Sequence, residues 1–492
     1  MRIEEMLDRI AGITLEGNPC VEISGISHDS RRVKPGDMFV ALKGEKTDGA
    51  LYLSEAIRRG AAALASDHRL GSGHGLPVLL VPDARQFLAE SSRWIYQDPA
   101  AKMQLVAITG TNGKTTTACL VDAIFRKAGL PSCLVGTLGM SIGDRPFPSN
   151  HTTPEASDLT AFLRQALTEG CTHGVLEVSS HALALKRVFG TRFTVAVFSN
   201  LTPEHLDFHH DMESYYRAKR ILFSPEGANS IGTSVLNIDD AYGRRLAADA
   251  LGTVLRYGFD PAAEVHVLSS RTRTDGIDLR LSTPWGELEI ESPLIGRPNV
   301  YNIMAAAAAA LCLEIPLRGV RLGIESLSGV PGRLEPVRGS QPYTVIVDYA
   351  HSPDALEKLL GTVRQLTRGR LIAVFGCGGD RDRGKRPLMG EIATRLSDLV
   401  IATTDNPRSE DPAAILAEIE SGLKRGTAPY RLLPDRREAI RTALSQAAAG
   451  DAVVIAGKGH ESYQVIGAEV LPFDDRAVAG ELIRELCRKR GE

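Results

Sequence analysis

The chain has no surplus of charge of either sign: 57 lysines and arginines stand against 60 aspartates and glutamates, a formal net charge of −3 over 492 residues. Proteins that wrap nucleic acid or anionic membrane carry a basic surplus, so neither class is expected, and any anion must be held by local clusters. Cysteine is sparse, at positions 20, 119, 133, 171, 312, 377 and 487 with no CxxC pair. Such a scattered, odd set predicts reduced thiols in a reducing compartment, the cytoplasm by default. Long apolar runs are also missing. The longest, Ile303 to Leu313, is mostly alanine and falls short of the roughly 18 residues a spanning helix needs. The opening MRIEEMLDRI has Glu4, Glu5 and Asp8 in place of a basic segment followed by an apolar one, so no export signal is expected. No short-period repeat of the solenoid kind is present.

With 43% hydrophobic and 24% charged residues the composition is that of a soluble globular protein. The length predicts about three domains. Residues 1–88 alternate short apolar stretches with turn signals such as Pro35-Gly36-Asp37 and read as a small α/β module. Residues 89–331 read as a mostly parallel sheet with buried strands at 104–109, 175–178 and 193–198. An antiparallel insert is expected over 253–295, followed by an alanine-rich helix opened by Asn299. Residues 332–492 read as a third, Rossmann-like α/β unit with strands at 344–347, 371–375, 399–403 and 452–456. Each of its strands runs into a polar cluster, and ligands of open α/β sheets sit beyond the carboxyl ends of their strands.

The segment ITGTNGKTT lies between a predicted strand and a predicted helix. Gly110 and Gly113 let backbone N–H groups close around phosphate, Lys114 adds a point charge, and Thr115 sits where a hydroxyl can reach magnesium. Ile108 occupies the position of the first glycine of the general phosphate loop, which makes this a variant. Further on, Glu177 ends one strand, and Asn200, Glu204, His205 and Asp207 follow the next. An acid and an imidazole at neighbouring strand ends can hold a divalent ion with mostly oxygen ligands. HLDFHH alone also admits zinc through His205 and His209, although no cysteine completes a tetrahedral set. Lys219 shares a helical face with Tyr215, Leu222 and Phe223, so its amine is expected to be partly desolvated, lowering its pKa. A lysine snorkelling to water is the alternative.

With GTNGKTT as hallmark, the sequence resembles the Mur ligase family of ATP-dependent amide-forming enzymes of peptidoglycan synthesis, over nearly the whole chain. The resemblance implies a central phosphate-loop-type ATPase domain between an N-terminal UDP-sugar module and a C-terminal amino-acid module, in a monomeric enzyme with Mg2+ as cofactor. For ATP it implies Gly110, Thr111, Asn112, Gly113, Lys114, Thr115 and Thr116, with Asn299 and Asn302 at the adenine edge, Arg333 at the phosphates and Asp348 at ribose or phosphate. Asn299 is equally readable as a helix cap and Asp348 as a turn residue. Metal-associated positions would be Thr115, Glu177, His205 and Lys219, the lysine carbamylated to N6-carboxylysine; Lys114, Glu177, His205 and Lys219 would be the catalytic set.

For the UDP-N-acetylmuramoyl-L-alanyl-D-glutamate acceptor the resemblance implies His28, Ser30, Glu45, Lys46 and Thr47, then His151, Thr152, Thr153, Ser179, Leu185 and Arg187. Without it, the SRR and KPGD segments are simply a basic turn. His151 and Leu185 depart from the asparagine and glutamine of some members. For the incoming amino acid it implies Asp405, Asn406, Pro407 and Arg408, joined by Arg381, Gly457 and Glu461. A guanidinium can take the distal carboxylate of meso-diaminopimelate with two parallel hydrogen bonds, and Asp405 and Glu461 can pair with an ammonium. Closure of the domains over an acyl phosphate is expected. A folylpolyglutamate synthetase, a lysine-adding relative and a nucleotide switch without ligase chemistry are the rival readings.

Overall fold

The computed structural model describes residues 1–44, 47–71 and 73–490; the expected positions Glu45 and Lys46 lie outside them. Three large sheets follow one another along the described residues, and a two-stranded one lies near the end. The first has five strands, with Asp37–Val40 between Gly25–Ser27 and Ala63–Ser66, all parallel. Helix Ala84–Ile95, capped by Asp83, buries Phe87 and Leu88 against this sheet. The expected edge at 88 falls within this helix, whose apolar residues pack in the N-terminal core.

The central sheet has 11 strands. Gln104–Thr109 lies at its middle, parallel to His173–Glu177 on one side and Arg192–Phe198 on the other. Five of its six residues are buried, as a strand covered on both faces requires. Helices Lys114–Lys127 and Arg297–Cys312 cover one face, and Ala156–Thr168 covers the other. Alanines 305–310 are buried throughout; their small side chains let the helix lie close to the sheet. At Gly323 an added Cβ would collide with the backbone of Ile124, so glycine fixes how closely helix Leu317–Ser326 meets Lys114–Lys127.

The expected antiparallel insert is corrected in part. Thr253–Gly258 pairs parallel with Ser230–Asn237, and Val265–Thr272 starts parallel to it; only Ile277–Thr283 and Gly286–Ser292 extend the edge antiparallel. Period-two alternation reports one solvated face, and it is silent about the direction of the neighbour. The alanine-rich helix opens at Arg297, with Gly296 at its N-cap in a positive-φ conformation, two residues before Asn299. Asn299 instead donates its side-chain amide to the Ile295 carbonyl at 2.8 Å.

The third sheet orders its strands Glu335–Pro336, Thr344–Asp348, Ala452–Ala456, Leu371–Phe375, Leu399–Ala402 and Tyr430–Leu432. All but the first are parallel. The four expected strands are adjacent, so their carboxyl ends open on one side. Tyr430–Leu432 and the hairpin Tyr463–Ile466 with Glu469–Pro472 are additions; the three-residue strand is too short for periodicity to reveal. Every cysteine is a free thiol. Among the described residues no helix is long and apolar enough to cross a membrane.

Candidate active site

The phosphate loop joins the middle strand Gln104–Thr109 to helix Lys114–Lys127. Gly110 and Gly113 have φ of 147° and 90°; a Cβ on the first would strike Ser199 and on the second Asn302. The neighbouring strand end braces the loop. Asn200 accepts from the Thr111 N–H at 2.8 Å through its carbonyl and from the Asn112 N–H at 3.0 Å through Oδ1. The first-turn N–H groups of the helix have no intrahelical acceptor and form the anion-facing end. Lys114 Nζ folds back onto the Gly110 and Thr111 carbonyls at 2.9 and 2.8 Å, and burial lowers its pKa.

Glu177 is 1% exposed. It accepts from the Thr115 hydroxyl at 3.0 Å and from the N–H and hydroxyl of Thr137 at 2.9 and 3.0 Å. A carboxylate beside a threonine hydroxyl at a helix N-terminus offers hard oxygen donors of the kind magnesium takes. Lys219, also 1% exposed, donates to the Gly110 carbonyl at 2.8 Å and lies 4.6 Å from the centre of the Tyr215 ring. Burial, with Lys114 nearby, pushes its pKa well below that of an ordinary lysine. The expected desolvation is thus present, and the snorkelling alternative is not.

His205 sits in a left-handed conformation (φ 56°) with Nε2 3.8 Å from Glu204. Burial lowers its pKa despite that carboxylate. His209 contacts the Ser180 hydroxyl through Nε2 at 2.9 Å. Among the described residues no three His, Cys, Asp or Glu side chains gather as a metal cluster.

The third domain closes over this loop. Arg333 lies 5.0 Å from the Tyr349 ring centre, reaches the Thr115 hydroxyl at 3.5 Å, and has a buried Nε without a partner. Asp348 accepts from the Leu334 and Ala350 N–H groups at 2.7 and 2.8 Å and so holds the turn that carries Arg333; burial raises its pKa. Thr202 donates to Asp354 at 3.0 Å and accepts from Lys358 at 2.9 Å, a second bridge across the domains. Loop, Arg333, Asp348, Asn299 and Asn302 share a cavity of about 380 Å³. Asn302 donates to Asn299 at 2.8 Å, which orients both amides.

A second cavity, of about 770 Å³, lies between the N-terminal and central domains and includes His28, Arg31, Arg32 and His151. His28 contacts Ser157 across the interface at 3.1 Å. Ser30 turns inward to donate to Glu55 at 2.8 Å, and Thr47 lies beside the Tyr52 hydroxyl at 3.3 Å. Toward the phosphate loop, Thr152 contacts Thr137 at 3.2 Å, while Thr153 donates to the Glu177 carbonyl at 2.8 Å and accepts from the Ser179 N–H at 3.1 Å. Ser179 caps helix Ser180–Ala184, with Leu185 at its other end. Arg187 donates to Glu155 and to the Thr153 carbonyl, both at 2.9 Å.

At the carboxyl ends of the third sheet, Asp405, Asn406, Pro407 and Arg408 meet Gly457 and Glu461. Arg408 has φ 52° and donates to the Gly379 carbonyl at 2.7 Å. Arg381 stands on the exposed rim, bonded to the neighbouring Asp380 carbonyl. Gly457 (φ 116°) brings its backbone against Asp405. Here the sequence reading missed a residue. Lys458 is fully buried, 3.3 Å from Glu461, 3.2 Å from Asn406 Oδ1 and 3.8 Å from Asp405. Its only sequence signal is a lysine between two glycines at a strand end. Thr137, Glu155 and Thr202 were missed too, because single threonines and acids outside a motif carry no pattern.

Three family models cover most of the chain: "Mur ligase family, catalytic domain" at 22–93, "Mur ligase middle domain" at 108–310 and "Mur ligase, glutamate ligase domain" at 332–459. A protein of Gloeobacter violaceus named UDP-N-acetylmuramoyl-L-alanyl-D-glutamate--2,6-diaminopimelate ligase is 48% identical over 100% of this chain and 99% of its own. A like-named protein of Caldanaerobacter subterraneus is 43% identical over 98% and 99%. A solved structure of a ligase of that name superimposes with a TM-score of 0.72 at 34% identity, covering 100% of this chain and 99% of the other.

Proposed function

The chain belongs to the Mur ligase family, and from that premise we propose how its residues divide the work of the reaction. It is an ATP-dependent ligase that joins 2,6-diaminopimelate to UDP-N-acetylmuramoyl-L-alanyl-D-glutamate in peptidoglycan precursor synthesis. The glutamyl carboxylate attacks the γ-phosphorus of ATP and ADP leaves. The amine of diaminopimelate then attacks the acyl carbon, loses a proton, and phosphate departs. No covalent enzyme intermediate is required, so positioning and charge stabilisation carry the rate.

The observation that carries this reading is the cavity lined by the phosphate loop, His205 and Arg333, with Glu177 bonded to Thr115 and buried Lys219 bonded to the Gly110 carbonyl of that loop. Helix N-H groups, Lys114 and Arg333 hold the triphosphate, and the orphaned Arg333 Nε supports an anion beside it. Magnesium, held by Thr115, Glu177, His205 and carbamylated Lys219, would screen the transferring phosphoryl group. Lys219 reaches carbamylation as a neutral amine, adding its nitrogen to carbon dioxide and releasing a proton; its burial and depressed pKa support this. His205 stays neutral near pH 7 for the same reason. Asn299, Asn302 and Asp348 serve the nucleoside end.

The UDP-sugar dipeptide occupies the cleft of His28, Ser30, Glu45, Lys46, Thr47 and His151, with Thr152, Thr153, Ser179, Leu185 and Arg187 leading its carboxylate to the loop. Diaminopimelate of meso configuration is taken by Arg381, Asp405, Asn406, Pro407, Arg408, Gly457 and Glu461. We carry forward domains near 1–88, 89–331 and 332–492, a cytoplasmic monomer, and no nucleic-acid partner, for which the net charge of −3 is the support. Phosphate release with ATP and the UDP-muramoyl dipeptide tests the reading. Release should require diaminopimelate and be weak with lysine; equal release with lysine would remove the role of Arg408, and release without any amine would remove ligation.

A further inference from the structure

We propose that Lys458 is a positioning residue of the amino-acid end: its ammonium fixes Asn406 and Glu461 so that carboxylate oxygens are left free for the substrate's ammonium. This rests on the diaminopimelate reading above. Asn406 Oδ1 accepts from Lys458 Nζ at 3.2 Å and from the Val465 N–H at 3.0 Å. The amide is therefore locked with Nδ2 toward Glu461 Oε2, to which it donates at 2.8 Å. Lys458 reaches the same Oε2 at 3.3 Å. Both donors thus use one oxygen of Glu461, and Oε1 remains.

Asp405 Oδ1 is buried without a hydrogen-bond partner, with Lys458 at 3.8 Å as its ion-pair neighbour. An orphaned carboxylate oxygen at full burial is costly unless something completes it. The charges facing this nest are Asp405, Glu461 and Asp475 against Lys458 and Arg436. With all five ionised they leave one negative charge, and a single ammonium neutralises it. Burial raises the Asp405 pKa, while Arg436 and Lys458 oppose the rise, so Lys458 helps keep that carboxyl ionised. Without Lys458 the carboxyl would lose one of the two cations that oppose that rise, and Asn406 would lose one of the two donors that orient it.

The test is steady-state phosphate release by the full-length enzyme with each substrate varied in turn. Lys458→Met should raise the diaminopimelate KM about tenfold or more and leave the KM of ATP within about twofold. Glu461→Gln, at a half-buried site, should raise the same KM selectively, and the double variant should be less than additive because Glu461 without Lys458 is already misplaced. Parallel rises in all three KM values, full additivity, or an unchanged diaminopimelate KM would overturn the proposal. Should Lys458→Met not fold, Glu461→Gln alone decides: an unchanged diaminopimelate KM contradicts the positioning. Wild-type enzyme that releases phosphate without needing diaminopimelate would instead remove the reading on which this rests.

Discussion

Lys219 and Lys458 are buried to the same degree, 1% and 0% exposed, and their surroundings make them different chemical groups. Lys219 lies against the Gly110 carbonyl and the Tyr215 ring, with Lys114 as a like charge. Lys458 lies between two carboxylates and an amide oxygen. Burial alone favours the neutral amine, whereas burial with counter-charges favours the cation. One chain therefore keeps a nucleophilic amine beside its phosphate loop and a fixed ammonium beside its amino-acid end.

The contrast breaks first on activity. Lys219→Met should lower kcat about a thousandfold, roughly 4 kcal/mol, in diaminopimelate-dependent phosphate release; wild-type turnover in that variant would remove Lys219 from the mechanism. A stability measurement next probes the compensated side. The Arg436–Asp475 pair beside Lys458 is wholly buried at 2.6 Å. Asp475→Asn should cost about 3 kcal/mol in denaturant unfolding, since it leaves a buried guanidinium without its counter-charge.

Arg408→Ala should raise the diaminopimelate KM about tenfold, near 1.4 kcal/mol, and spare ATP; equal effects on both substrates would sink the carboxylate clamp. The smallest effect is also the sharpest. In buffer free of carbon dioxide, Lys219→Met should stabilise the protein by about 1 kcal/mol at pH 7, while Lys458→Met should destabilise it. The folded-state pKa of Lys219 is depressed, so between that value and its unfolded one the unfolded chain binds more protons and wild-type stability climbs with pH. The gain from Lys219→Met should accordingly shrink as pH rises toward 10. A gain independent of pH would mean that packing, not the amine's charge, is responsible.

These two lysines also mark how far the sequence could be read. Lys219 was legible because its helix neighbours Tyr215, Leu222 and Phe223 share a face at helical spacing, and the loop was legible because its glycines and Lys114 are contiguous. The four strands of the third sheet announced themselves through polar clusters at their ends. Lys458 was not legible: its partners Asp405 and Asn406 arrive from another strand end, and an ion nest built across two loops has no period. Thr202 and Asp354 failed for the same reason, as partners from different domains. The direction of Thr253–Gly258 was hidden because alternation encodes exposure and not pairing. Asn299 was misread as a helix opener because Gly296, which begins the turn at positive φ, precedes it.

The distinction between a reactive amine and a fixed ammonium is tested most directly by carbon-13 NMR of the enzyme in labelled bicarbonate. A carbamate resonance should be present in the wild type, survive in Lys458→Met and vanish in Lys219→Met. Absence of the signal from the wild type, or its loss with Lys458 while Lys219 is intact, would contradict the account.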